Sequence, residues 1–167
     1  VERVIAVASQ SELGEIILVC NSDLVADLGK KYRVKIVKNS APEMGQSNSI
    51  RLGVENACSS AEGLMFLVGD QPFVNSVVIN EIIRSFLSEN CNAVVPMYNG
   101  TRGNPVIFKS AFRDKLMNLR GDSGGRVLLK EMKGSILTVS FEDEKAGFDM
   151  DTTEEYESII RLEDENE

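Results

Sequence analysis

The stretch Leu64 to Phe73, LMFLVGDQPF, constrains the fold of this chain more than any other. Five apolar residues, Leu64 to Val68, run directly into Gly69-Asp70-Gln71-Pro72. An apolar run of that length bounded by turn residues predicts a strand buried on both faces of a parallel sheet. Gly69 permits a tight exit and Pro72 stops the ladder. Asp70 is thereby expected at the carboxyl end of a central strand, the edge at which open α/β sheets bind ligands. A carboxylate there can hold Mg2+ against phosphate oxygens. The same carboxylate can instead cap an Asx-type turn with no chemistry attached.

Other segments give that strand neighbours. Val1, Val4, Ile5, Val7 and Ala8 form a helical stripe within Val1 to Ser11, and Ile16 to Cys20 reads as a short buried strand. Ser22 or Asp23 can cap a helix through about Gly29, and Tyr32 to Val37 suggests a strand. Pro42 to Gly45 is a loop, and Ser47 or Asn48 can cap a helix to about Cys58. Asn75 to Leu87 places Val78, Ile79, Ile82, Ile83 and Phe86 on one helical face. Strands are expected at Ala93 to Met97, Pro105 to Phe108 and Ile136 to Val139, with a hairpin turn at Asn99-Gly100. Short helices are expected from Ser110 to Leu119 and from Arg126 to Met132. Phe148 to Asp151 is extended, Thr152 or Thr153 caps a last helix to Leu162, and Glu163 to Glu167 frays. Alternating strands and helices predict one three-layer α/β domain over the 167 residues, with one antiparallel pairing at the hairpin.

Composition excludes several functions. A formal charge of −8 without a basic cluster argues against nucleic-acid binding. No apolar run approaches the ~20 residues of a membrane helix, and no secretory leader is visible. Cys20, Cys58 and Cys91 are widely spaced and odd in number, which predicts three buried reduced thiols and, by default, a cytoplasmic protein. With no histidine, Ser-His-Asp and Cys-His triads and the usual zinc sites are ruled out. Chemistry must rest on carboxylates, cations, hydroxyls, backbone N–H groups or a metal ion.

Five loops carry residues suited to such chemistry. Gly45-Gln46-Ser47-Asn48-Ser49 precedes a helix, where N–H groups and hydroxyls can cradle an anion or a base edge, or simply cap the helix. Gly69-Asp70-Gln71-Pro72 is the second loop. Arg102-Gly103-Asn104-Pro105 can set a cation and an amide beside a ligand, or be a polar hairpin. Gly121-Asp122-Ser123-Gly124-Gly125-Arg126 is glycine-dense enough to require special backbone angles or a close ligand. Asp149 and Asp151 flank Met150 and, if extended, point to one side, so with Asp70 they can complete a carboxylate site for a hard cation. Asp151 also suits a helix N-terminus.

In this order the five motifs resemble the molybdenum cofactor cytidylyltransferase group of the molybdopterin nucleotidyltransferase-like (MobA-like NTP transferase) family, from Val1 almost to the end. The last motif extends to Asp149-Met150-Asp151-Thr152-Thr153-Glu154-Glu155-Tyr156. Departures are Gln46 where the family often has Met, Asn104 where His is frequent, and Gly125 where Ala is common. The resemblance implies a Rossmann-like α/β/α nucleotidyltransferase fold with a mostly parallel sheet and one antiparallel strand. It implies Mg2+-dependent transfer of CMP from CTP to molybdopterin cofactor with release of pyrophosphate. Asp70 takes the catalytic, metal-holding role, with Asp149 or Asp151 as second ligand. Gly45, Gln46, Ser47, Ser49, Gly69 and Gln71 face the nucleotide. Asn104, Pro105, Gly121, Asp122, Gly124 and Arg126 face the pterin.

The family's sheet also has a strand and a glycine-rich, triphosphate-binding loop ahead of the position of Val1, between the Ile16 and Leu64 strands. Without them, two buried strand edges face a gap, and the chain as it stands is expected to lack transferase activity. Alternatives are a transferase using GTP or ATP, a non-catalytic carrier that delivers the cofactor to a molybdenum hydroxylase, and an α/β interaction module.

Overall fold

The computed structural model describes residues 1–132, 135–150 and 152. Helix α1 (Glu2–Ser9) leads to strand β1 (Ile17–Cys20), helix α2 (Asp23–Lys31) and strand β2 (Lys35–Lys38). A 3-10 turn at Pro42–Met44 precedes α3 (Gln46–Asn56), which is followed by β3 (Gly63–Phe66) and α4 (Ser76–Ser88). Then come β4 (Ala93–Tyr98), β5 (Thr101–Arg102), β6 (Val106–Lys109), α5 (Arg113–Met117), α6 (Arg126–Glu131) and β7 (Ile136–Phe141). The expected final helix and acidic tail fall on residues outside those described, apart from Thr152.

Three layers follow from side-chain alternation. Along β4, Ala93 and Val95 face a cluster with Ile50 and Val54 of α3 and Leu116 of α5. Val94 and Tyr98 face the opposite cluster, with Val78, Ile82 and Phe86 of α4. Phe108 and Ile107 of β6 divide in the same way. This period-two burial on both faces is what a sheet between two helical layers requires. Helix α4 holds its start through Asn75, whose Oδ1 accepts from the Val78 N–H at 3.0 Å.

The sheet corrects the expected topology. It consists of two parts: β1 pairs with β2 in parallel, and a five-stranded part runs β3-β6-β4-β5 with β7 beside β4. In the second part β6 runs against both β3 and β4, β5 runs against β4, and only β4 with β7 is parallel. The physical reason is β6, which returns between β3 and β4 and so turns one reversed strand into two antiparallel pairings. The hairpin lies where expected, with Asn99 at φ 46° and Gly100 at φ 76° joining β4 to β5. Pro96 is tolerated inside β4 because it sits where the partner on that side changes from β6 to β5. Its carbonyl accepts from the Gly103 N–H there, at 3.0 Å.

The Leu64 strand is less buried than predicted. Leu64 is buried, but Met65 to Val68 are half-buried, and the paired strand ends at Phe66. The cause is a cavity of about 1480 Å³ between β3 and β1. Both strands line it, with Val4 and Ile5 of α1 and Ile50 and Val54 of α3 among its other walls. Among the described residues β1 pairs with β2 alone and β3 with β6 alone, so each has an unpaired edge.

Cys20 and Cys91 are buried, and all three cysteines are free. Cys58 corrects the expectation, being exposed just beyond the end of α3, where a hydrogen bond with Ser60 Oγ holds its thiol below the ordinary range. No helix of the described residues is long and apolar enough to cross a membrane.

Candidate active site

The polar residues gather at one edge of the molecule. Because Val106 of β6 pairs with Phe66 and Lys109 with Gly63, the residues before β6 lie beside those after β3. This register brings Asn104 to the same end as Gly69 and Asp70. The large cavity opens there, lined by Gly69, Asp70, Asn104, Asp122, Gly124, Arg126 and Asp149, with Gln46 and Ser49 on the α3 side. All five sequence motifs therefore contribute to one cleft, the third through Asn104 and the last through Asp149.

Two contacts join the acidic motifs. Gln71 is 3% exposed, and its Nε2 donates to Asp149 Oδ1 at 2.6 Å. The Met150 N–H donates to the Asp70 carbonyl at 2.9 Å. Asp70 and Asp149 are both exposed on the cleft. Gln71 thus lies behind the site and holds Asp149 rather than lining the cleft. Asp151 lies outside the described residues. Among the described residues no group of three or more acidic or cysteine side chains could by itself enclose a metal ion. Hard oxygen donors on a cleft still suit a divalent cation of the Mg2+ type, which takes one or two carboxylates and completes its shell with phosphate and water.

Two glycine-rich motifs pack on each other. Gly45 has φ 84° and ψ −177°, a region open essentially to glycine alone. A Cβ on it would stand 2.5 Å from Asp122 Oδ1 and from the Gly121 carbonyl carbon. The Ser47 N–H donates to the Gly121 carbonyl at 3.0 Å. Ser47 is buried, so it fastens the two loops instead of facing the cleft. A Cβ on Gly125 would meet the Phe108 ring at 2.9 Å, which explains glycine at that position. Pro105 is fully buried beneath Asn104, and Gly121 acts through its backbone.

Tyr98 buttresses the same end. Its hydroxyl donates to the Asn104 carbonyl at 2.9 Å, and its ring packs against Gly103 and Gly147. Burial, then the nearby Asp143 charge, push its phenol well above the ordinary range.

A second, smaller cavity of about 300 Å³ adjoins the first at the ends of β1 and β2. Cys20, Asn21, Asn39, Gly45, Gln46, Ser49 and Asp122 are among its walls. Asn21 and Asn39 were not among the residues expected from the sequence. The signal that could have found them is the one applied to Asp70: each is a polar residue immediately after a strand.

Residues 1–136 match the MobA-like NTP transferase domain, and the chain belongs to that family. It is 32% identical over 134 residues to purine catabolism protein PucB of Bacillus subtilis, covering 79% of this chain. It spans 63% of the length of that curated relative. The fold is similar to Rv0371c of Mycobacterium tuberculosis in complex with manganese, with a TM-score of 0.75 and 20% identity over 95% of this chain and 84% of the other. It is also similar to CMP:2-keto-3-deoxy-manno-octonic acid synthetase complexed with CTP, with a TM-score of 0.75 and 12% identity over 99% of this chain and 88% of the other. The α/β nucleotidyltransferase fold is thereby established.

Proposed function

We propose that the protein transfers CMP from CTP to the terminal phosphate of molybdopterin cofactor and releases pyrophosphate, in the cytoplasm. A cofactor phosphate oxygen forms a bond to the α-phosphorus of CTP, and the bond from that phosphorus to the bridging oxygen of pyrophosphate breaks. The observation that carries this reading is the joining of Asp70 and Asp149 on one cleft by the Gln71 and Met150 hydrogen bonds. It is supported by family membership and by the manganese and CTP complexes of the two neighbours named above.

Asp70 and Asp149 would hold Mg2+, with Asp151 as a further candidate ligand. When bound, the cation neutralises and aligns the phosphates. The protein's own share is positioning. The Gly45 to Ser49 loop holds base and ribose, with Gly69 at the floor. Asn104 and the Gly121 to Arg126 loop face the pterin. The deciding experiment is CTP-dependent pyrophosphate release by the full-length protein with molybdopterin cofactor as acceptor. Release that requires both substrates is the expected result. Cofactor binding without release would point instead to a carrier for a molybdenum hydroxylase.

A further inference from the structure

Asn39, immediately after β2, is 5% exposed, and its side-chain oxygen and nitrogen are both hydrogen-bonded. Its Oδ1 accepts from the Ala41 N–H at 3.0 Å and from Asn48 Nδ2 at 2.7 Å. Its Nδ2 donates to Ser49 Oγ at 3.0 Å. The amide cannot be turned over, because a backbone N–H only donates and so requires oxygen on that side. Asn48 is fixed by the same logic: Arg51 donates to its Oδ1 at 2.7 Å, and its Nδ2 donates to the Ala41 carbonyl at 3.2 Å. The Ser49 hydroxyl is therefore committed as acceptor toward Asn39. A hydroxyl that accepts one hydrogen bond becomes a stronger donor through its own proton. Ser49 lines both cavities.

We propose that Asn39 is a positioning residue that directs the Ser49 hydroxyl proton into the small cavity, where it donates to an acceptor on the nucleoside half of the nucleotide. The matching chemistry is a carbonyl oxygen or unprotonated ring nitrogen, both of which a cytosine edge offers. The inference rests on the proposed function, because it takes this cavity as the nucleoside end of the nucleotide site. Asn39 touches no ligand; it acts through Ser49.

Replacing Asn39 by aspartate keeps the acceptor for Ala41 and Asn48 but removes the donor. Ser49 then donates to the introduced carboxylate and turns a lone pair toward the ligand. Calorimetric titration of the full-length protein with CTP, and separately with inorganic triphosphate, tests this. Asn39→Asp and Ser49→Ala are each expected to weaken CTP binding about tenfold, and the double variant no further. Inorganic triphosphate binding should not change, whereas general damage to the fold would move it. Ser49→Thr, which keeps the hydroxyl, should restore CTP binding. Where Asn39→Asp fails to fold, Asn39→Ser, neutral and too short to reach Ser49, takes its place with the same expected loss. Folded Asn39 variants that bind CTP like the wild type, or losses that add in the double variant, would overturn the positioning role and leave the proposed function standing. Wild-type protein that binds neither CTP nor inorganic triphosphate would overturn both.

Discussion

The side chains of Gln71 and Asp149, 78 residues apart in sequence, meet at 2.6 Å, with the buried amide donating to the exposed carboxylate. This hydrogen bond to a charged acceptor fixes the segment after β7 onto the loop after β3. Gln71→Met, similar in volume and without a hydrogen-bond donor, should free Asp149 while leaving the core filled. Manganese binding followed by paramagnetic relaxation is expected to weaken about tenfold, by loss of a contact of this class.

Asp70→Asn should separate activity from stability. Asp70 is exposed, and its carbonyl, not its carboxylate, carries the contact to Met150. Pyrophosphate release should fall by about two orders of magnitude or more, with little shift in melting temperature. A large drop in melting temperature with retained turnover would remove Asp70 from the proposed metal site.

Gly45→Ala should affect both loops at once. The backbone conformation alone costs ~1–3 kcal/mol for an alanine. The new Cβ would also displace Asp122 and the Gly121 backbone. Chemical denaturation should show a loss of at least that size, and CTP binding should be lost with it.

Tyr98 gives a pH dependence. Its folded pKa lies above the ordinary tyrosine value of about 10, because burial disfavours the phenolate. For an acid raised in the folded state, the stabilisation is present below the unfolded pKa and is lost as pH rises beyond it toward the folded pKa. Stability should therefore fall above about pH 10. Comparing phenolate absorbance of the wild type and Tyr98→Phe should show Tyr98 ionising only as the protein unfolds. Loss of its hydrogen bond to Asn104 should cost the variant ~1 kcal/mol near neutrality.

Base choice is tested by competition. CTP should displace GTP and ATP from the full-length protein. A preference for either purine nucleotide would move the protein to another branch of its family without altering the fold.

Much of the layout was legible in residue pattern. Helix α4, the hairpin at Asn99-Gly100 and the strands at β4 and β7 follow from strong local periodicity and turn chemistry. The reversal of β6 against β4 was implied by the turn between them, but its insertion beside β3 was not, because four residues carry no signal for which second neighbour they pair with. At the site, glycines and acids after strands were readable as motifs. What sequence could not separate was which residue faces the cleft and which stands behind it. Gln71 and Ser47 are buried supports, while Asn39 acquires its place only when β2 packs beside the start of α3.

The cavity between β1 and β3 makes the stability of this fold a function of what lies within it. Among the described residues, β1 and β3 each turn an unpaired strand edge toward this cavity, and such an edge is where extended backbone can pair. Any segment that occupies it in the folded state, and finds no such partner in the unfolded one, shifts the folding equilibrium by mass action.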